Sequence, residues 1–236
     1  MDSTRRQARW AGFLYLLVAL IAPIGVIVVP HQLFHGNAAE MASAIKASEW
    51  LLRMGIASDL VSQIVQVFLV LALYRLFKPV QEAYAKQMLV LGLLPIPIVF
   101  VNVMNELAAL VLLTGTGFLS VFPTPQLEAL ADLFVRLHGQ GLVVASVFWG
   151  LWLLPFGMLV IRSDFIPRIL GLLLLVAGTA YLVDSFAKLV LTPYAAMVSK
   201  VALPLQACEL AIILWLLIVG TKPSDRLAKA RYESNS

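Results

Sequence analysis

A chain of 236 residues that is 61% hydrophobic and only 13% charged has too little polar surface to cover a soluble core, because soluble domains run about 45–50% apolar and about 25% charged. Disorder is excluded from the other side, since there is ample apolar surface to bury. The formal net charge of +4 calls for no nucleic-acid partner, because membrane proteins gather Lys and Arg at their cytoplasmic ends.

A helix needs about 20 mostly apolar residues to cross the hydrocarbon core of a bilayer. Six stretches qualify, and no short alternating segments suggest barrel strands. The expected fold is all-α: an integral membrane bundle of six transmembrane helices in one domain over 1–221, with the lipid bilayer as its solvent. The first span, Trp10–Val29, follows Arg5, Arg6 and Arg9. That start resembles a signal peptide, but the apolar run is too long and closes at Pro30-His31-Gln32 without a small-residue cleavage site, so an uncleaved helix is expected. Asn37 before Ala38-Ala39-Glu40 reads as a capping box and predicts a short amphipathic helix to about Trp50 along the membrane surface. Spans two and three are Gly55–Phe77 and Met88–Leu113. Pro95 and Pro97 should break or kink span three, either as a packing kink or as a broken helix lining a pathway. Thr124-Pro125 reads as N-cap and first helical position, and Leu127, Leu130, Phe134 and Leu137 recur at helical spacing into span four, Gly141–Ile161. Phe148, Trp149, Trp152 and Phe156 in that span read as bundle packing rather than a cofactor box. The short loop Arg162–Arg168 predicts antiparallel neighbours. Spans five and six are Ile169–Leu191 and Val201–Val219, and Pro155 and Pro204 pose the same choice as Pro95. The one cysteine, Cys208, forbids an internal disulfide and is expected as a small core residue. The polar tail over 222–236 is expected to be mobile.

The Lys and Arg distribution sets the orientation. With the N-terminus inside, the inner segments hold Arg5, Arg6, Arg9, Arg75, Lys78, Lys86, Arg162, Arg168, Lys222, Arg226, Lys229 and Arg231, which is 12. The outer side holds Lys46, Arg53, Arg136, Lys188 and Lys200, which is 5. Both termini are therefore expected in the cytoplasm, and the two long loops on the outer side.

A charged side chain at a helix centre costs about 2.5–3.5 kcal/mol on insertion scales, yet this chain places several. Span two carries Asp59, Gln63 and Gln66 on one face, and span three carries Asn102, Asn105 and Glu106 on one face. Span four opens near His138 and Gln140. Span five carries Asp184, Ser185 and Lys188, with the acid and base at i, i+4. Span six carries Gln206 and Glu209. Spans two, four and six run outside to inside and hold these residues early, whereas spans three and five run the other way and hold them late. All therefore fall in the outer half, where they should face one another across a polar cavity, with Arg53 near its rim.

Two readings compete for this set. As helix-to-helix glue each contact is worth about 0.6 kcal/mol; Asp184–Lys188 is then a neutral pair, and Asp59 pairs with Arg53 or Lys188. As a site, the four acids Asp59, Glu106, Asp184 and Glu209 outnumber the cations near them, so an excess acid must be protonated or a cation must sit there. His31, His35 and His138 all lie on the outer side. A His-and-carboxylate metal site is chemically available, but the spacing matches no metal motif, and no motif names a cofactor. No Gly-x-x-x-x-Gly-Lys, His-Glu-x-x-His, Cys-x-x-Cys or Gly-x-Ser-x-Gly occurs, so ATP-driven pumping by this chain alone is not expected.

A set of strings carries a family likeness: Arg9-Trp10-Ala11-Gly12, Arg53-Met54-Gly55 with Asp59-Leu60, Leu137-His138 with Gly141, Arg162-Ser163-Asp164-Phe165-Ile166-Pro167-Arg168-Ile169-Leu170-Gly171, and Tyr181-Leu182-Val183-Asp184-Ser185. In this order they resemble a bacterial multi-pass membrane family catalogued as domain of unknown function 4386, over roughly residues 8–220. The resemblance implies a bacterial inner-membrane protein of about six spans, and it transfers no catalytic role.

Three functions remain. The first is binding or transport of a polar or cationic small molecule, or of a lipid headgroup, by Arg53, Asp59, Gln63, Asn102, Asn105, Glu106, His138, Asp184, Lys188, Gln206 and Glu209. The second is a structural or sensory membrane partner with no ligand site. The third is an intramembrane hydrolase with His138 as acid/base, Asp59 as its orienting partner, and a metal or carboxylate activating water.

Overall fold

The computed structural model describes residues 3–115 and 117–222, and the elements among them are all helical. The expected tail lies outside the described residues from residue 223 onward. The order is α1 (Ser3–Pro23), one π turn (Ile24–Val28), α2 (Val29–Leu33), α3 (Ala38–Ala47), α4 (Glu49–Phe77), α5 (Glu82–Leu93), α6 (Pro95–Thr114), α7 (Thr124–Arg162), α8 (Arg168–Val190), a 3₁₀ turn (Thr192–Tyr194), α9 (Ala195–Gln206), a second 3₁₀ turn (Ala207–Glu209) and α10 (Leu210–Ile218).

Six stretches are long and apolar enough to cross a membrane: Ser3–Leu33, Glu49–Phe77, Glu82–Thr114, Thr124–Arg162, Arg168–Val190 and Thr192–Ile218. The spans expose large apolar side chains such as Leu20, Ile27, Phe68, Val101, Met104, Ile169 and Ile218, surface that lipid covers and water would not. The protein is a multi-pass membrane protein. Several helices run past the apolar stretches read from the sequence. The helix expected at Thr124 is continuous with span four, giving one helix of 39 residues. At 1.5 Å per residue that is about 58 Å, more than the hydrocarbon thickness. Span three divides at Leu94, with Pro95 opening α6, because a proline has no N–H to give the preceding turn. Cys208 is not a core residue; it is part-exposed on the second 3₁₀ turn.

The described helices form two compact units. One comprises, among the described residues, 3–17, 65–95 and 145–222. Its core is aromatic: Phe77 meets Phe156 edge-on at 5.5 Å, Phe156 stacks on Trp152 at 5.7 Å, and Trp152 lies 5.8 Å from Tyr15. α7 and α8 approach closely through glycines. A Cβ at Gly150 would lie 2.7 Å from the Gly178 carbonyl, and one at Gly157 would lie 2.8 Å from that of Gly171, the small-residue contact typical of membrane helices. Past the C-cap of α10 at Val219, Gly220 turns the chain with a φ of +75° that suits glycine. Arg5 and Arg9 of α1 donate to the Val219 and Ile218 carbonyls there, satisfying groups that helix ends leave open.

The other unit comprises Val18–Ile64 and Ile96–Val144. Its apolar core joins Val29 and Leu33 of α2, Met41 and Ile45 of α3, Leu52 and Ile56 of α4, Val103 and Leu110 of α6, and Ala131 and Val135 of α7. α3 begins with the capping box: the Asn37 side chain accepts from the Ala39 and Glu40 amides, and Glu40 accepts from the Asn37 amide, each at 3.0 Å.

Candidate functional site

Within the second unit, three helices each contribute one ionisable side chain to a single buried cluster. α4 supplies Asp59, α6 supplies Glu106 and α7 supplies His138, exposed by 2%, 0% and 1%. His138 Nε2 lies 3.7 Å from Asp59 Oδ2 and 3.8 Å from Glu106 Oε1. One ligand-type atom from each residue lies within 4.8 Å of the other two. Among the described residues, Asp59 Oδ2, both Glu106 oxygens and His138 Nε2 have no hydrogen-bond partner, and neither does Gln63 Oε1, one turn along α4 from Asp59. Leaving even a neutral polar group buried and unbonded costs roughly 2–7 kcal/mol depending on the reference state. Here several such atoms converge.

The cations that the sequence offered as counter-charges are engaged elsewhere. Arg53 is exposed and pairs with Glu49 at 2.6 Å, so it lies outside the buried cluster. Lys188 pairs with Asp184 at 2.7 Å in the first unit. Among the described residues, the ion pairs of Asp59 and Glu106 are with His138 alone. His31 and His35 are exposed and do not join it.

Asn102 fixes the histidine. Its Nδ2 donates to the His138 carbonyl at 2.9 Å, and its Oδ1 accepts from Asn105 at 3.0 Å. His138 Nδ1 has two neighbours, Asn102 Nδ2 at 3.2 Å and the Asn102 backbone carbonyl at 3.4 Å. The first contact makes Nδ1 an acceptor and puts the ring proton on Nε2. The second makes Nδ1 a donor and leaves the Nε2 lone pair facing the carboxylates.

Two glycines clear space for this arrangement, and the sequence reading did not assign them. A Cβ on Gly25, in the π turn, would strike the Asp59 carboxylate and the Ser58 hydroxyl, and one on Gly141 would strike the Asn102 amide. The available signal was a glycine inside an apolar span, which marks close approach more often than a bend. Ser58 and Ser62 flank Asp59 and return their hydroxyls to the Gly55 and Asp59 carbonyls at 2.8 and 2.9 Å.

The remaining selected residues lie in the first unit and are satisfied there. Asp184 accepts from Ser199 at 2.5 Å, from Lys188 at 2.7 Å and from Gln206 at 3.5 Å. Tyr15 donates to Glu209, and Tyr181 bonds the same carboxylate. Ser146 and Ser185 share a 2.6 Å contact. Donors and acceptors are matched in this cluster, as glue between helices requires.

The family described as a domain of unknown function (DUF4386) matches residues 10–220, and the chain belongs to it. No curated protein and no solved structure matches the chain.

Proposed function

We propose that this membrane protein binds a small cation inside its spans, at Asp59, Glu106 and His138. The observation that carries the reading is the convergence of unpartnered carboxylate oxygens and an imidazole nitrogen from three helices at a point closed to solvent. Two carboxylates whose ion-pair partner among the described residues is a single histidine attract positive charge strongly in a low-dielectric surrounding. Separations of 3.7 and 3.8 Å leave room for one ion between the groups, which favours a small cation over a lipid headgroup or a larger polar molecule. The family resemblance implies a bacterial inner-membrane setting, and the distribution of Lys and Arg supports both termini cytoplasmic and the site in the outer half. For the Asp184 cluster the structural reading is favoured, because its carboxylate is fully bonded.

The test is thermal unfolding of the purified full-length chain in detergent, with cation chlorides compared against choline chloride at equal ionic strength. A cation at one hundred times its Kd stabilises by about 2.7 kcal/mol, which for a chain of this size is about 5–10 °C. At least one cation should raise the Tm of the natural protein, and Glu106→Gln should abolish that rise. If no cation moves the Tm of the natural protein, the reading is wrong.

A further inference from the structure

We propose that the cation of this site is a divalent first-row transition-metal ion, ligated by His138 Nε2 and by one carboxylate oxygen from each of Asp59 and Glu106. The proposal rests on the cation-binding reading above and adds the class of ion and the mode of its ligation.

The donor set decides the class. Sodium, magnesium and calcium are held by oxygen atoms, whereas an imidazole nitrogen beside carboxylates suits zinc, manganese or ferrous iron. A site built for calcium would gather six to eight oxygens and gain nothing from a buried histidine. Charge agrees with this. Two carboxylates and a neutral imidazole carry two negative charges, so a divalent ion leaves the buried site neutral and a monovalent ion does not. Geometry agrees as well. Ligand atoms at about 2.0–2.2 Å from one ion sit roughly 3.3 Å apart in a tetrahedral arrangement. The observed 3.7 and 3.8 Å close to that by a few tenths of an ångström of carboxylate rotation.

The second layer is also present. A ligating histidine usually gives its other ring N–H to a carbonyl or carboxylate, which fixes the tautomer. The Asn102 carbonyl is 3.4 Å from His138 Nδ1, and accepting there frees Nε2 for the ion. The Asn102 amide then serves the His138 carbonyl, with Asn105 holding it in place. Gln63 Oε1, unpartnered on the same helix as Asp59, is a neutral oxygen for a fourth position. Three charged or aromatic ligands on three helices match the count of open, exchangeable metal sites rather than that of closed structural ones.

The experiment uses full-length protein with any affinity tag removed, stripped with a chelator, reloaded with Zn²⁺ or Mn²⁺ and desalted, with metal measured by elemental analysis. About one equivalent should remain, His138→Ala should retain less than a tenth of that, and the exposed pair His31→Ala/His35→Ala should retain all of it. Asn102→Ala keeps the backbone carbonyl that accepts from His138 Nδ1 and removes only the amide that holds the His138 carbonyl, so it should weaken zinc binding by less than His138→Ala does, without shifting retention on size exclusion. The natural protein alone gives a second readout: zinc-edge absorption should show one nitrogen at about 2.0–2.1 Å with oxygens. If His138→Ala keeps its metal, or the absorption spectrum shows oxygen ligands only, the assignment is overturned. If Na⁺ or Ca²⁺ stabilises the protein while Zn²⁺ and Mn²⁺ do not, the cation-binding reading stands and this inference falls. If no cation stabilises it, both fall.

Discussion

His138 sits where two opposite demands meet. Its ring is 1% exposed, yet the atom facing the carboxylates has no partner. Burial without bonding is destabilising, so the unliganded cluster should be a weak point that neutral substitutions relieve. Glu106→Gln is expected to leave the cation-free protein no less stable, while Asp184→Asn, which breaks bonds that are made, should cost about 1–3 kcal/mol; chemical denaturation of both variants in a chelator checks this. Gly25 belongs to the same scale. Gly25→Ala forces a methyl against Asp59 and Ser58 and should both destabilise by about 1–3 kcal/mol and remove the cation-dependent Tm rise. Gly139→Ala meets nothing within 4 Å and should be neutral or stabilise by up to about 1 kcal/mol. The sequence marked Asp59, Glu106 and His138 by depth in the bilayer, but it marked Asp184, Lys188, Gln206 and Glu209 by the same criterion. Depth separates buried from exposed. It says nothing about which acid meets a donor and which meets another acid, because that depends on the neighbour each helix turns toward.

The elements were legible where apolar length is the signal, and where helix continues beyond it only side-chain spacing showed it. The turns Thr124 to Gln140 carry Glu128, Asp132 and Arg136 on α7; the helical spacing of Leu127, Leu130, Phe134 and Leu137 led from there into span four, whereas apolar length alone marked only Gly141–Ile161. Local chemistry was clearer. Asn37 and Glu40 announced their capping box, and Pro95 announced the break after Leu94. Asn37→Ala should cost about 1 kcal/mol, seen as faster hydrogen exchange at the Ala39 and Glu40 amides with the spans unchanged. The α7–α8 glycine contacts predict a larger effect. Gly178→Leu would drive a side chain into the Gly150 carbonyl and should destabilise the chain by more than about 2 kcal/mol, read as loss of the monodisperse peak in detergent.

At the scale of the whole molecule, 13% charge is enough to do two jobs. Loop cations propose an orientation, and a few buried ionisable groups propose a site. Orientation is open to a direct check: with Cys208 replaced by serine, a cysteine placed at Ser120 should react with a membrane-impermeant maleimide from outside intact cells. Reaction only after lysis would reverse the topology. The central claim is that a metal ion binds among three helices. Anomalous diffraction from crystals of the natural protein grown with Mn²⁺ or Zn²⁺ measures it most directly. The account predicts a peak about 2.0–2.2 Å from His138 Nε2 and from one oxygen each of Asp59 and Glu106; ordered side chains there with no peak, in crystals that carry the metal elsewhere, would contradict it.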